Sequence, residues 1–194
     1  MKLWQQVQFL LELTRSHGIL RRYFVVNGFD GALTMLGLIL GFYLSDSTDV
    51  SVVIAACLGA AIALGVSGVS SAYISEVAER RLELAELEGA MVKDLSASAH
   101  GLAARWVPLL TAIVNGSSPF LLSLLILTPL WLAPAGMPLP PLLLAMATAL
   151  FILFLLGVFL GRIAGVSWWR SGLQTLLIAL VTAALILLAE GLAL

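Results

Sequence analysis

The sequence predicts an all-α integral membrane protein with five transmembrane helices, and three observations carry that expectation. Of 194 residues, 61% are apolar and 11% charged, against roughly 25% charged in an ordinary soluble domain. The mean hydropathy is +1.07, which leaves too little polar surface to cover a water-soluble fold. The apolar residues also gather into five runs, each near or above the roughly 20 residues that a spanning helix needs. A disordered tail, a coiled coil and a nucleic-acid binder are excluded by the same composition. A β-barrel would need short alternating segments, and none is visible.

Residues 1–20 read as an amphipathic helix lying on the membrane interface. Leu3, Val7, Leu10 and Leu11 recur at helical spacing, with Gln5, Gln8, Glu12 and Arg15 elsewhere. Glu12 and Arg15, and the lack of a small-residue cleavage site, argue against a cleavable signal. Residues 21–74 hold span 1 (23–44) and span 2 (50–73). Residues 75–104 read as a cytoplasmic acidic helical segment that continues span 2, with no breaker between them. Residues 105–194 hold span 3 (106–131), span 4 (142–160) and span 5 (169–188). The loop at 133–141 carries four of the seven prolines, which cannot continue a helix.

The basic residues give the orientation. Lys2, Arg15, Arg21 and Arg22 precede span 1, and Arg80, Arg81, Lys93 and Arg105 separate spans 2 and 3. Arg162 and Arg170 separate spans 4 and 5, so all ten basic residues fall on one side. The positive-inside rule then predicts a cytoplasmic N-terminus, an external C-terminus and a multi-pass protein of the cell membrane. Trp106, Trp131, Trp168 and Trp169 fall at span ends, as an aromatic belt requires. Cys57 is the one cysteine, so no intrachain disulfide forms, and it reads as a small packing residue.

Asp30 is the sharpest polar feature within a span. It stands eight residues after Arg22, about 12 Å along a helix. A carboxylate there should face protein or water, as an ion ligand or proton carrier; the alternatives are a structural or snorkelling role. Asn27, Asp30, Thr34, Gly37 and Gly41 share a stripe of roughly 80°, and Gly37 and Gly41 form a G-x-x-x-G pair suited to a close helix crossing. On span 2, Ala60, Ala63, Ser67, Ser70 and Ser71 share one side that suits helix packing, with Ser67 and Ser70 as pathway candidates. On span 3, Asn115 begins the run Asn115-Gly116-Ser117-Ser118-Pro119. Pro119 frees a backbone carbonyl, so a kink or a discontinuity beside a pathway is expected there.

Beyond span 2, Glu76, Glu79, Glu83, Glu86 and Asp94 lie within about 80° of one another if the helix continues. Clustered carboxylate oxygens suit hard divalent cations, and Fe(II) accepts them as well. The alternative is a solvated acidic face. No nucleophile and base pairing, phosphate loop or Cys/His metal motif is present, so no enzyme is expected. His17 and His100 read as surface residues.

The motifs resemble the vacuolar iron transporter family, which has bacterial and archaeal members. Asp30-Gly31-Ala32-Leu33-Thr34 is similar to its D-G-x-x-T start, and Gly116-Ser117-Ser118-Pro119 to its G-x-x-P. Leu156-Gly157, Gly161-Arg162 and Ser167-Trp168-Trp169-Arg170-Ser171-Gly172-Leu173 resemble its closing hairpin. The resemblance covers most of residues 21–192. It implies a homodimer with five membrane helices that moves Fe(II), and in some members Mn(II), out of the cytoplasm in exchange for protons. No permanently bound cofactor is implied; the metal is cargo. The family's span 1 aspartate corresponds to Asp30, and its metal-gathering glutamates to the helix from Glu76 onward. Two positions depart from the family's S-M-A-x-G-E-Y pattern in span 2. Gly68 stands for the methionine and Ala72 for the glutamate. Glu76, one turn on, would be a substitute carboxylate, and Met35 a substitute thioether. The departures leave two alternatives open: a non-transporting metal-responsive or assembly protein of the same fold, or a transporter of another cation.

Overall fold

A computed structural model describes residues 17–45, 49–132 and 140–193. The expected helix at 1–20 lies outside them, apart from residues 17–20, which belong to the first long helix. The described residues form five helices: α1 (His17–Leu44), α2 (Val50–Met91), α3 (Ala99–Leu132), α4 (Pro141–Ile163) and α5 (Trp168–Ala193). Each is long and apolar enough to cross a membrane. Every expected span falls within one helix, and the chain is a multi-pass membrane protein by that measure.

Local signals start and stop these helices. The Asp49 carboxylate accepts the Ser51 amide N–H at 2.9 Å and so caps α2. Ser98 caps α3 by accepting the Gly101 amide at 3.3 Å. Pro141 occupies the first turn of α4, where its missing N–H leaves no gap. Between α4 and α5 only residues 164–167 are non-helical, a tighter turn than the sequence suggested. It closes with Gly165 at φ 67° and the Val166 amide bonded to the Gly161 carbonyl.

α2 is a single helix of 42 residues, about 63 Å long and twice the thickness of a hydrocarbon core. It ends before Asp94. Val92 takes the left-handed conformation at φ 50°, and the Lys93 amide bonds back to the Glu88 carbonyl, turning the chain out of the helix. The expected continuation through Asp94 is therefore corrected. α3 is also continuous: Pro108, Pro119 and Pro129 all lie within it, so no discontinuity occurs at Pro119.

The chain divides into two compact units. Among the described residues, one holds 17–24 and Gly65–Ser117; the other holds those of Val25–Leu64 and 118–193. The second unit holds the main apolar core, in which Met35, Ile39, Val53, Cys57, Ile126, Leu127, Leu153 and Ala179 are fully enclosed. Cys57 is buried there, as expected of a packing residue. α4 and α5 pack side by side in this unit. The Thr175 hydroxyl reaches the Leu153 carbonyl across the seam at 2.9 Å. Gly157 and Gly161 lie against Ser171 and Thr175 so closely that no side chain fits. Gly157, Gly161 and Ser171 are residues of the hairpin motif quoted above. Most of the remaining surface of α5 is exposed leucine, isoleucine and valine, which suits lipid and not water.

Candidate functional site

Asp30 lies on α1 in the second unit, exposed at the surface of the single chain. No hydrogen bond or ion pair engages its carboxylate among the described residues. The Thr34 hydroxyl donates 2.7 Å to the Asp30 backbone carbonyl, so it is spent locally on the helix. Asn27 is half-buried on the same stripe. Within the single chain Gly37 and Gly41 make no close helix crossing. Nothing lies near the Cβ position of Gly41, and only a methyl of Ile186, at 3.5 Å, approaches that of Gly37. The close crossing is made instead by Gly28 and Gly31. A Cβ on Gly31 would meet the Cα of Pro119 at 2.8 Å, and one on Gly28 would meet the Ser118 hydroxyl at the same distance. α1 thus presses its Gly28 and Gly31 side onto α3 and leaves the Asp30 stripe as its open side. Met35 does not belong to that stripe. It is wholly enclosed in the apolar core, so its thioether is a packing group.

In the first unit α2 buries Gly65, Gly68, Ala72, Glu76 and Arg80, one side of the helix at spacings of three and four. Ser67, Ser70 and Ser71, expected to pack, are exposed instead. Asn115 is buried and donates its side-chain amide to the Gly68 carbonyl at 2.7 Å. That bond joins α2 to α3, so Asn115 ties the two helices together in this unit. A Cβ on Gly68 would meet the Cα of Gly116 at 2.9 Å. Backbone therefore occupies the space that a side chain at position 68 would need.

One turn beyond Ala72 the side chains become charged while the surroundings stay closed. Glu76 and Arg80 are each only 6% exposed. The Arg80 guanidinium lies 3.4 Å from Glu76 and donates to Glu83 at 2.7 Å. A buried charge is tolerated when paired, and Arg80 pairs with both acids. The expected five-acid stripe is therefore not one surface. Glu76 is buried, Glu83 is half-exposed and bonded to Arg80, and Glu79 and Glu86 are exposed. Asp94 lies in the turn after α2. Its carboxylate accepts the Ser96 amide at 2.8 Å, which holds it below the usual carboxylate range. Glu88, off the stripe, accepts the Leu95 amide at 2.8 Å. Among the described residues no three His, Cys, Asp or Glu side chains gather closely enough to hold a metal ion.

Sequence reasoning passed over Arg80, although a signal was present. Glu76 precedes it by four residues, the favourable order for a pair along a helix, and Glu83 follows by three.

No family model matches the chain, and no solved structure matches it. The uncharacterized protein MJ0645 of Methanocaldococcus jannaschii is 33% identical over 172 residues, which span 87% of this chain and 87% of that protein. The chain therefore belongs to the same family as this archaeal protein.

Proposed function

We propose that the protein exports a divalent cation, Fe(II) or Mn(II), from the cytoplasm in exchange for protons, as a homodimer in the cell membrane. Asp30 carries the reading. A carboxylate within an apolar helix costs about 3 kcal/mol or more in lipid, so it is kept where water, an ion or a second protein surface meets it. The open stripe beside it supplies backbone space and the polar Asn27. A carboxylate binds either a proton or a cation, and that competition couples metal entry to proton release. The ten basic residues, all on one side of the spans, support a cytoplasmic N-terminus, and with it a cytoplasmic acidic end of α2. There the exposed Glu79 and Glu86 would raise the local cation concentration, while Arg80 neutralises Glu76 and Glu83.

The test is flux in reconstituted liposomes containing a pH dye. Imposing an Fe(II) or Mn(II) gradient is expected to move metal and shift internal pH together. A panel including alkali and small organic cations reads the selectivity. Metal movement with no pH change would remove the exchange, and no movement of any cation would remove transport.

A second reading has its own observation. Backbone at Gly68 fills the space of the family's methionine, and Ala72 supplies no carboxylate. A membrane protein of the same fold that senses metal or assembles with others, without moving ions, would tolerate both. Metal binding without flux in the same liposomes is the outcome that favours it.

A further inference from the structure

Within the first unit a recess of about 330 Å³ is lined by Tyr73 of α2 and by Arg105, Trp106 and Leu109 of α3. Two independent features locate it at a membrane boundary. The apolar run of α2 ends at Tyr73, and the apolar run of α3 begins at Trp106. Both residues are half-exposed aromatics with one polar atom, the type that sits at headgroup level. Arg105 is exposed, and no carboxylate pairs with it among the described residues. The nearby basic residue Arg80, by contrast, is enclosed and paired with acids.

We propose that this recess is a binding site for an anionic phospholipid of the leaflet facing the basic loops. The Arg105 guanidinium pairs with the phosphate, and the Tyr73 hydroxyl and Trp106 indole N–H donate to headgroup oxygens. Leu109, one turn deeper along α3, takes the first methylenes of an acyl chain. A free phosphate would leave the rings and Leu109 facing water, so the occupant is the lipid. Basic pockets between membrane helices recognise such headgroups by the same combination of charge and apolar wall. The site requires only that the helices span a bilayer and stands apart from the ion that the protein carries.

The experiment is native mass spectrometry of the full chain, delipidated in neutral detergent and titrated with phosphatidylglycerol, phosphatidylcholine or inorganic phosphate. Wild-type protein is expected to retain phosphatidylglycerol about five-fold better than phosphatidylcholine, the effect of one arginine near an anionic headgroup. Arg105→Gln is expected to abolish that preference, while Arg170→Gln, which removes an exposed arginine of the other unit, keeps it. Leu109→Trp, which fills the recess without changing charge, is expected to lose bound phosphatidylglycerol and guards against a folding defect in the arginine variant. The proposal is overturned if Arg105→Gln keeps the preference or Arg170→Gln loses it equally. It is also overturned if Leu109→Trp binds like wild type, or if millimolar phosphate displaces the lipid.

Discussion

Within Val25–Leu64 and Ser118–Leu194 the helices meet through backbone, with Gly31 against Pro119 and Gly157 against Ser171. Within Gly65–Ser117 close backbone packing is joined by polar bonds: Asn115 onto the Gly68 carbonyl, and Arg80 onto Glu76 and Glu83. The difference teaches where each kind of change should hurt. In lipid, helices gain little from hiding apolar surface, so close van der Waals fit and polar ties supply the specificity. A seam closed mainly by backbone contact responds to added volume. A buried ion pair along one helix responds to a removed partner.

The largest expected effect lies in the polar unit. Glu76→Ala leaves Arg80 buried with Glu83 as its remaining acid, and should cost about 3 kcal/mol in thermal unfolding of the detergent-solubilised protein. The double variant Glu76→Leu, Arg80→Met should recover most of that loss, because it leaves no unpaired buried charge and Glu83 is half-exposed to solvent. If the double variant is as unstable as the single one, the pair is not what matters there.

The glycine-packed unit is sharpened by two glycines on one helix. Gly31→Ala forces a methyl against Pro119 backbone and should cost about 1–3 kcal/mol. Gly41→Ala meets nothing and should be neutral or stabilising by up to about 1 kcal/mol, through helix propensity. Equal effects would show that the contact at Gly31 carries no weight.

A smaller contrast concerns the ends of α2 and α4, which close with the same backbone bond. Gly165 supplies the left-handed residue in one and Val92 in the other. A β-branched residue is strained at positive φ. Val92→Gly should therefore raise stability by about 0.5–1 kcal/mol, read as a rise in the unfolding midpoint.

The smallest effect is a pH dependence at Asp94. The Ser96 amide, then the Ser96 hydroxyl, hold its carboxyl below the usual range. Its contribution is fully present above the unfolded carboxyl pKa and is lost as pH falls through the lower folded value. Asp94→Asn should flatten that acid limb of the stability curve and lower stability slightly near neutrality, where the contribution is fully present.

Much of the fold was legible because lipid demands long apolar runs, and five such runs are five helices here. The α4 and α5 hairpin was legible in the short stretch between spans 4 and 5, but the contact of its glycines with Ser171 was not. The choice between glycine pairs on α1 was not. Gly28 with Gly31 and Gly37 with Gly41 are equally small, and only the arrival of Pro119 decides between them. The same ambiguity shifted the packed face of α2, where Ala60, Ala63 and Ser67 compete with Ala61, Gly65 and Gly68. The end of α2 was hidden as well, because Val92 is a residue that sequence patterns do not associate with a helix stop. Asp30 was legible as the one acid inside span 1. The enclosure of Glu76 was not, since an acid's burial depends on what packs over it.

The central claim is that Asp30 carries the cation, and one comparison tests it most directly. Fe(II) or Mn(II) flux and internal pH are followed together in liposomes holding wild-type protein or Asp30→Asn, at matched folded protein. The account predicts that Asp30→Asn loses metal flux and its coupled pH change by at least about ten-fold, the equivalent of about 1.4 kcal/mol. Asp30→Asn transport at the wild-type rate, with the pH change intact, would contradict it.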